Sequence, residues 1–320
     1  MKASDPYLYH AEMPLTAAYY PLGFPLELTT NSEDVLEAAE ESWGSFTKQF
    51  STPALQLKVG VLEGASTECP APPTFRAQRN LIVGVAGHDN FCVSDVVHGF
   101  SFAWLTGAAL SHRSYVRYHF LEAAALSHIA NRHTAPIHAA CVELDGHGIL
   151  LCGESGAGKS SLSFACARAG WTYVTDDASF LLNGRNDRQV VGNCHLLRLR
   201  PSAAELFAGM EDLTLTQHSR GKPSIELVTS VVPGIKGSTS SNVNHIVFLN
   251  RRDANAQDLV LFPREEARRY MRQNLCGLEE LRMSQMASVE SLLTAEIHEL
   301  RYRDSNWAVD RLTRLVRGHE

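Results

Sequence analysis

The chain has 320 residues, 44% hydrophobic and 20% charged, with a formal net charge of −6. That length is enough for two domains with ample core. The acidic balance excludes a broad nucleic-acid-binding surface. Seven cysteines at irregular spacing, without a C-x-x-C pair, give no disulfide framework and point to a reducing compartment, with Cys141, Cys152 and Cys166 read as small buried hydrophobes. The N-terminus, Met1-Lys-Ala-Ser-Asp-Pro6, lacks a signal h-region, and no apolar run approaches the ~18 residues of a transmembrane helix. A cytoplasmic chain with no membrane partner is therefore expected.

Residues 1–130 read as a smaller N-terminal α/β domain serving recognition or oligomerisation. Tyr19 to Thr29 is a Pro-broken strand region. Asn31-Ser-Glu-Asp34 opens a helix through Trp43, with acids in its first turn and Val35, Leu36, Ala39 and Trp43 on one side. Gln56 to Leu62 alternates as a half-buried strand, and Glu63 to Pro73 is an exposed loop. Strands follow at Thr74-Phe-Arg-Ala77, Asn80 to Ala86, Phe91 to Ser94 and Gly99 to Leu105, with Gly87-His-Asp-Asn90 as a turn. Tyr115 to Asn131 is a helix whose apolar face is Tyr115, His119, Leu121, Ala125 and Ile129. His128, His133 and His138 recur at intervals of five, which does not set two ligands on one helical face.

Residues 131–320 hold the chemistry. Asp145-Gly146 is a two-residue hairpin signal between Ala140–Leu144 and the apolar run Gly148–Cys152. Then comes Gly153-Glu-Ser-Gly-Ala-Gly158-Lys159-Ser160, a complete G-x-x-x-x-G-K-[ST] phosphate loop, opening a helix from Lys159 to Ala169 that Gly170 stops. The helix face predicted to be apolar is Leu162, Ala165, Cys166 and Ala169. Glycines 153, 156 and 158 let the backbone approach a ligand, and the N–H groups of the loop and helix start converge on phosphate oxygens. A nucleotide is expected on Gly153, Glu154, Ser155, Gly156, Ala157, Gly158, Lys159, Ser160 and Ser161, with Lys159 reaching the β- and γ-phosphates and the Ser160 hydroxyl on Mg²⁺. The bland alternative is a Gly-rich turn that binds nothing. Asp176 and Asp177 end the next predicted strand, where paired carboxylates beside a phosphate loop suit metal binding and general-base work, or else form a solvated turn or helix cap.

Beyond Asp177, Ala178 to Leu182 and Gln189 to Gly192 read as strands around a polar turn, and Pro201 to Met210 as a helix with Ser202 as cap and Leu206 and Phe207 inward. Thr214 to Lys222 is a polar segment that could close over a triphosphate through Arg220 or Lys222. The Ser-rich stretch Lys236–Asn242 is a candidate lid. His245 to Leu249 is a buried strand, Pro263 to Leu293 one or two helices with Met271, Leu275, Leu278 and Leu281 in the core, Ala295 to Arg303 a strand, and Trp307 to Val316 a closing helix.

The region from Ile137-His138-Ala139 through Gly146-His-Gly148 and the phosphate loop to Val174-Thr-Asp176-Asp177 resembles the catalytic domain of HPr kinase/phosphorylase, an enzyme that phosphorylates a serine of the carrier protein HPr. The resemblance spans roughly residues 131–310, with the clearest match up to about residue 182. It implies an α/β P-loop kinase domain of the HPr kinase/PEP carboxykinase-like type with a mixed, partly antiparallel sheet, ATP and Mg²⁺ as ligands, and a homo-oligomer. It implies that Asp176 takes the proton of the acceptor hydroxyl, that Asp177 supports it or binds Mg²⁺, and that His138 tunes or relays the proton. Without the resemblance, His138 is a structural histidine at a strand start. Two places depart from the family pattern. Ser161 stands where the family has Glu, and Leu196-Leu-Arg198-Leu-Arg200-Pro201 is the nearest text to its Glu-Ile-Arg-Gly segment. These departures bear on the phosphorylase half-reaction and on HPr as substrate, and the tail is more similar to divergent HPr-kinase-related proteins.

The expected function is therefore an ATP-dependent kinase acting on a hydroxyl, with serine on a protein or peptide as the acceptor. The alternative is a nucleotide-binding regulatory protein that has lost transfer. A P-loop motor or switch ranks last, because no apolar run ends in a metal-binding Asp at the distance those proteins use.

Overall fold

The computed structural model describes residues 12–62, 67–200, 215–217, 223–251, 257–275 and 278–318. The chain divides into two compact units, one built on residues up to Arg132 and one from His133 onward, apart from a short segment at Gln217 that groups with the first. Each is mixed α/β. No helix among the described residues is long and apolar enough to cross a membrane.

The first unit runs β1 (Leu15–Tyr19), a 3-10 turn at Pro21–Gly23, β2 (Leu26–Thr30), α1 (Glu33–Trp43), β3 (Leu55–Leu62), β4 (Thr74–Gln78), β5 (Leu81–Ala86), β6 (Asn90–Asp95), β7 (Phe100–Thr106), α2 (Gly107–Leu110), α3 (Arg113–Val116), a π-helical stretch Arg117–Glu122, and α4 (Ala123–Arg132). Its strands form one sheet in the order β1-β2-β3-β7-β6-β5-β4. On α1 the buried set is Val35, Ala38, Ala39, Ser42 and Trp43, so the core-facing stripe is rotated slightly from the one predicted. The helix expected from Tyr115 to Asn131 is present but widens into π geometry where the buried Arg117 donates to Ser42 Oγ at 3.1 Å. Asn90, at the end of the predicted turn, accepts from the Thr106 N–H at 2.9 Å and so acts structurally.

The second unit runs β8 (Thr134–Ile137), β9 (Ala139–Leu144), β10 (His147–Cys152), α5 (Lys159–Arg168), β11 (Thr172–Thr175), β12 (Ser179–Leu182), β13 (Gln189–Val191), β14 (Leu196–Leu199), β15 (Leu215–Gln217), β16 (Pro223–Val228), β17 (Lys236–Gly237), β18 (Ser240–Asn250), β19 (Asp258–Leu261), α6 (Arg264–Met271), α7 (Glu279–Leu292), β20 (Glu296–Arg301) and α8 (Ser305–Arg317). The β9–β10 hairpin is antiparallel and turns at Asp145 and Gly146, both at positive φ. β10 pairs in parallel with β18, and β18 in parallel with β20. β11 joins β9 and β19 joins β20, both antiparallel, so the sheet is mixed.

The central strands read as continuous apolar runs because helices cover both faces. Period-2 alternation sorts them. Cys141, Leu150, Cys152, Ile246 and Phe248 pack with Ala267, Met271, Val289 and Leu292 of α6 and α7. Val142, Ile149, Leu151, Val247, Leu249 and Leu300 pack with Leu162 and Cys166 of α5 and Ala308 and Leu312 of α8. The cysteines among them are buried thiols whose pKa burial pushes up.

Three expectations change. Ala165 is only partly buried and Ala169 is exposed; instead α5 also buries Phe164 and Ala167 against Tyr173, Leu197, Leu199, Ile225 and Leu227. The helix is thus covered on a second side by the β14–β16 pair, which its own periodicity does not announce. Phe164→Ala is expected to cost about 3–5 kcal/mol, read as a lower urea midpoint at unchanged slope. Second, Lys236–Asn242 is no lid: it forms β17 and the start of β18, where buried Ser241 donates to Glu143 Oε2 at 2.6 Å. Third, of the predicted core set Met271, Leu275, Leu278 and Leu281, only Met271 is fully buried, because the stretch forms two helices separated by a 3-10 turn at Arg272–Asn274 and the period does not run through that turn. The helix expected at Pro201–Met210, with Ser202, Leu206 and Phe207, and the closing residues Arg220 and Lys222 lie outside the described residues.

Candidate active site

The phosphate loop joins the C-terminal end of β10, in mid-sheet, to the N-terminus of α5. Gly153, Gly156 and Gly158 have φ of +146°, +93° and +100°. At Gly158 the need for glycine is also spatial, because a Cβ there would lie 2.7 Å from the Tyr302 hydroxyl. The first N–H groups of α5 have no carbonyl four residues back to accept from within the helix, which makes a helix start of this kind suited to anions. Gly158→Ala is expected to cost on the order of 1–2 kcal/mol of stability, read in thermal melts.

Glu154, Ser155 and Gly156 are exposed, Ala157, Gly158, Ser160 and Ser161 are half-buried, and Lys159 is buried. The Lys159 ammonium has three protons and three acceptors: Gly153 O at 2.7 Å, Glu154 O at 3.3 Å and His138 Nε2 at 3.1 Å. Burial lowers its pKa, with the Asp177 charge opposing that shift. On the other edge of the His138 ring, Nδ1 lies 3.3 Å from Asp177 Oδ1. A neutral imidazole carrying its proton on Nδ1 satisfies both contacts, accepting from Lys159 and donating to Asp177. Lys159, His138 and Asp177 therefore form one chain of contacts drawn from α5, the β8–β9 junction and the end of β11.

The two aspartates differ sharply. Asp177 is exposed, at 58% of its side chain, and borders His138. Asp176 is buried. Its Oδ1 accepts from the Tyr173 hydroxyl at 3.2 Å and its Oδ2 from the Arg198 N–H at 3.1 Å. Burial, followed by the Asp177 charge, pushes Asp176 up to about 6, against the lowering effect of Arg198 and Tyr173. Its main-chain carbonyl lies 3.5 Å from Ser160 Oγ, which ties the aspartate pair to the start of α5.

Further side chains shape the loop. The Tyr270 hydroxyl sits 2.6 Å from His138 O, 2.9 Å from Gly153 O and 3.1 Å from Gly153 N, bridging the histidine segment to the loop. Arg200 donates to Ser155 Oγ at 2.7 Å, bringing a cation to the loop's outer rim. Arg251 stacks over the Tyr302 ring, 5.4 Å from its centroid, beneath Gly158. Tyr270 and Tyr302 lie more than 100 residues downstream in a helix and at a strand end, with no local signal of a site. Arg200 lies in Leu196-Leu-Arg198-Leu-Arg200-Pro201, one of the two places that depart from the family pattern.

The donor set suits a polyphosphate and a hard cation. Backbone N–H groups, one buried ammonium and rim arginines match phosphate oxygens, while a serine hydroxyl and an exposed carboxylate match Mg²⁺, which keeps few protein ligands and takes the rest from phosphate and water.

No family model and no curated protein matches this chain. Among solved structures it is similar to the Hpr(Ser) kinase/phosphatase from Coxiella burnetii, at 14% sequence identity over 57% of this chain and 88% of that one, with a TM-score of 0.34. That likeness is weak and by itself assigns neither activity nor substrate.

Proposed function

We propose that this chain is an ATP-dependent kinase that transfers the γ-phosphoryl group to the hydroxyl of a serine on a protein or peptide. The observation that carries the reading is the contact chain Lys159–His138–Asp177, in which three separated segments converge beside the phosphate loop. A loop that merely turned would need no buried lysine, and an isolated structural histidine would need no aspartate.

Lys159 gives up one of its carbonyl partners to meet the β- and γ-phosphates, and the N–H groups at the start of α5 hold the remaining oxygens. Ser160 and Asp177 would hold Mg²⁺, which supplies charge neutralisation on the transferring group. Asp176 accepts the proton of the incoming hydroxyl; Tyr173 and the Arg198 N–H fix the orientation of its carboxylate, and burial gives it a basicity matched to near-neutral pH. His138 keeps Asp177 and Lys159 in register. The chain works in the cytoplasm, as a homo-oligomer, with the unit before His133 presenting the recognition surface.

One observation favours a second reading, a nucleotide-binding regulator without transfer: both carboxylate oxygens of Asp176 are engaged inside the protein. Incubation of the full chain with γ-labelled ATP, Mg²⁺ and a cell lysate separates the two. Label on a protein serine, lost in Asp176→Asn while ATP still binds, supports the kinase; bound ATP with no labelled acceptor supports the regulator.

A further inference from the structure

We propose that the chain holds one zinc-like divalent transition-metal ion through His245, Glu296 and His298, at the end of the central sheet opposite the phosphate loop. One nitrogen from each histidine and one carboxylate oxygen lie within 4.8 Å of one another. The position follows from register. β10 and β18 run in parallel, with Ile149 opposite His245 and Cys152 opposite Phe248, so His245 lies level with the first half of β10 and the first residue of β20, and the phosphate loop follows the last residue of β10. Glu296 is the direct register partner of His245, and His298 lies two residues on, on the same face of β20. A bulge in the β10–β18 pairing falls just before His245, a device that re-aims side chains.

A second observation points to a ligand. His245 is buried, and its Nδ1 satisfies no hydrogen bond although Glu296 Oε2 is 3.3 Å away. His298 Nδ1 is likewise buried and unsatisfied. Two unsatisfied imidazole nitrogens beside one carboxylate cost stability unless something takes their lone pairs.

Two imidazoles and a carboxylate with an open fourth position suit Zn²⁺ or a neighbouring transition ion and not Mg²⁺, which takes oxygen ligands. Tetrahedral zinc at about 2.0–2.1 Å from each ligand draws them to roughly 3.3 Å apart. Glu296 is exposed, so its side chain can close that gap. The ion would staple β18 to β20, and this assignment is independent of what the phosphate loop does.

The test titrates full-length, EDTA-treated protein with Zn²⁺ alone, read by competition with a chromophoric chelator and by thermal melting. One equivalent per chain is expected, with a Tm rise on the order of 5 °C. His298→Ala and Glu296→Gln are each expected to weaken uptake at least tenfold and abolish the Tm rise, while ATP binding in Glu296→Gln is unchanged. Because Glu296 is exposed, that variant reads the site without disturbing the core. No stoichiometric uptake overturns the proposal. So does uptake that survives both substitutions, or that disappears in Cys69→Ser, which would place the ion on that exposed thiol.

Discussion

On the proposed kinase reading, Asp176→Asn should lower phosphoryl transfer by about 10²–10⁴-fold, the usual contribution of a general base, leave ATP binding in place and make the protein more stable at pH 7.5. The expected gain in stability follows from the burial of Asp176. Its native pKa of about 6 lies above its ordinary 3.8, so the folded state holds the proton more tightly than the unfolded state does. Stability therefore falls as pH rises between those two values, and the penalty of the ionised carboxylate is complete above about pH 6. At roughly 1.4 kcal/mol per pKa unit, relief of that penalty by a neutral amide is on the order of 1–3 kcal/mol. Asparagine can still accept from the Arg198 N–H and meet the Tyr173 hydroxyl. Thermal melts of both proteins from pH 3.5 to 8 check this: the curves should coincide below about pH 4 and separate above it. In the unsubstituted protein, the proposed transfer should rise through pH 6 as Asp176 ionises. A variant that transfers at the native rate would remove Asp176 from the base role.

Lys159→Met should lower kcat by about 10²–10³-fold and also weaken ATP binding, because in the proposed reaction the ammonium would meet charge that grows on the transferring phosphate. Methionine matches the length of the buried stem, so the fold should survive. Lys159→Arg should not rescue activity. Three acceptors converge on a single Nζ in a buried space, and a planar guanidinium cannot reproduce that point of convergence. Single-turnover assays with labelled ATP, beside equilibrium binding, separate the loss in chemistry from the loss in affinity. Unchanged binding and turnover would leave the lysine as a packing residue and remove the main support for the kinase reading.

Much of this was legible along the chain. The Asp145-Gly146 hairpin, the apolar runs of β9, β10 and β18, the loop from Gly153 to Ser160 and the helix that follows are local events, set by backbone preference and by side-chain period over a few residues. So is the adjacency of a phosphate loop to a carboxylate pair one strand later. His138 was named only through a resemblance, since its own residue context reads as a structural histidine; the structure brings it within reach of Lys159 and Asp177. What it left equal, the tertiary structure made unequal. Asp176 and Asp177 are the same residue type at neighbouring positions, yet one is buried under Tyr173 and Arg198 and the other faces solvent beside His138. Basicity depends on desolvation and on charges brought in from elsewhere, and no spacing rule reports either. Tyr270, Arg200 and Tyr302 reach the loop for the same reason, and His245 meets Glu296 and His298 only because β18 and β20, some fifty residues apart in sequence, pair in register. Local chemistry wrote the motif; packing decided which of its groups are buried, which are paired, and which can react.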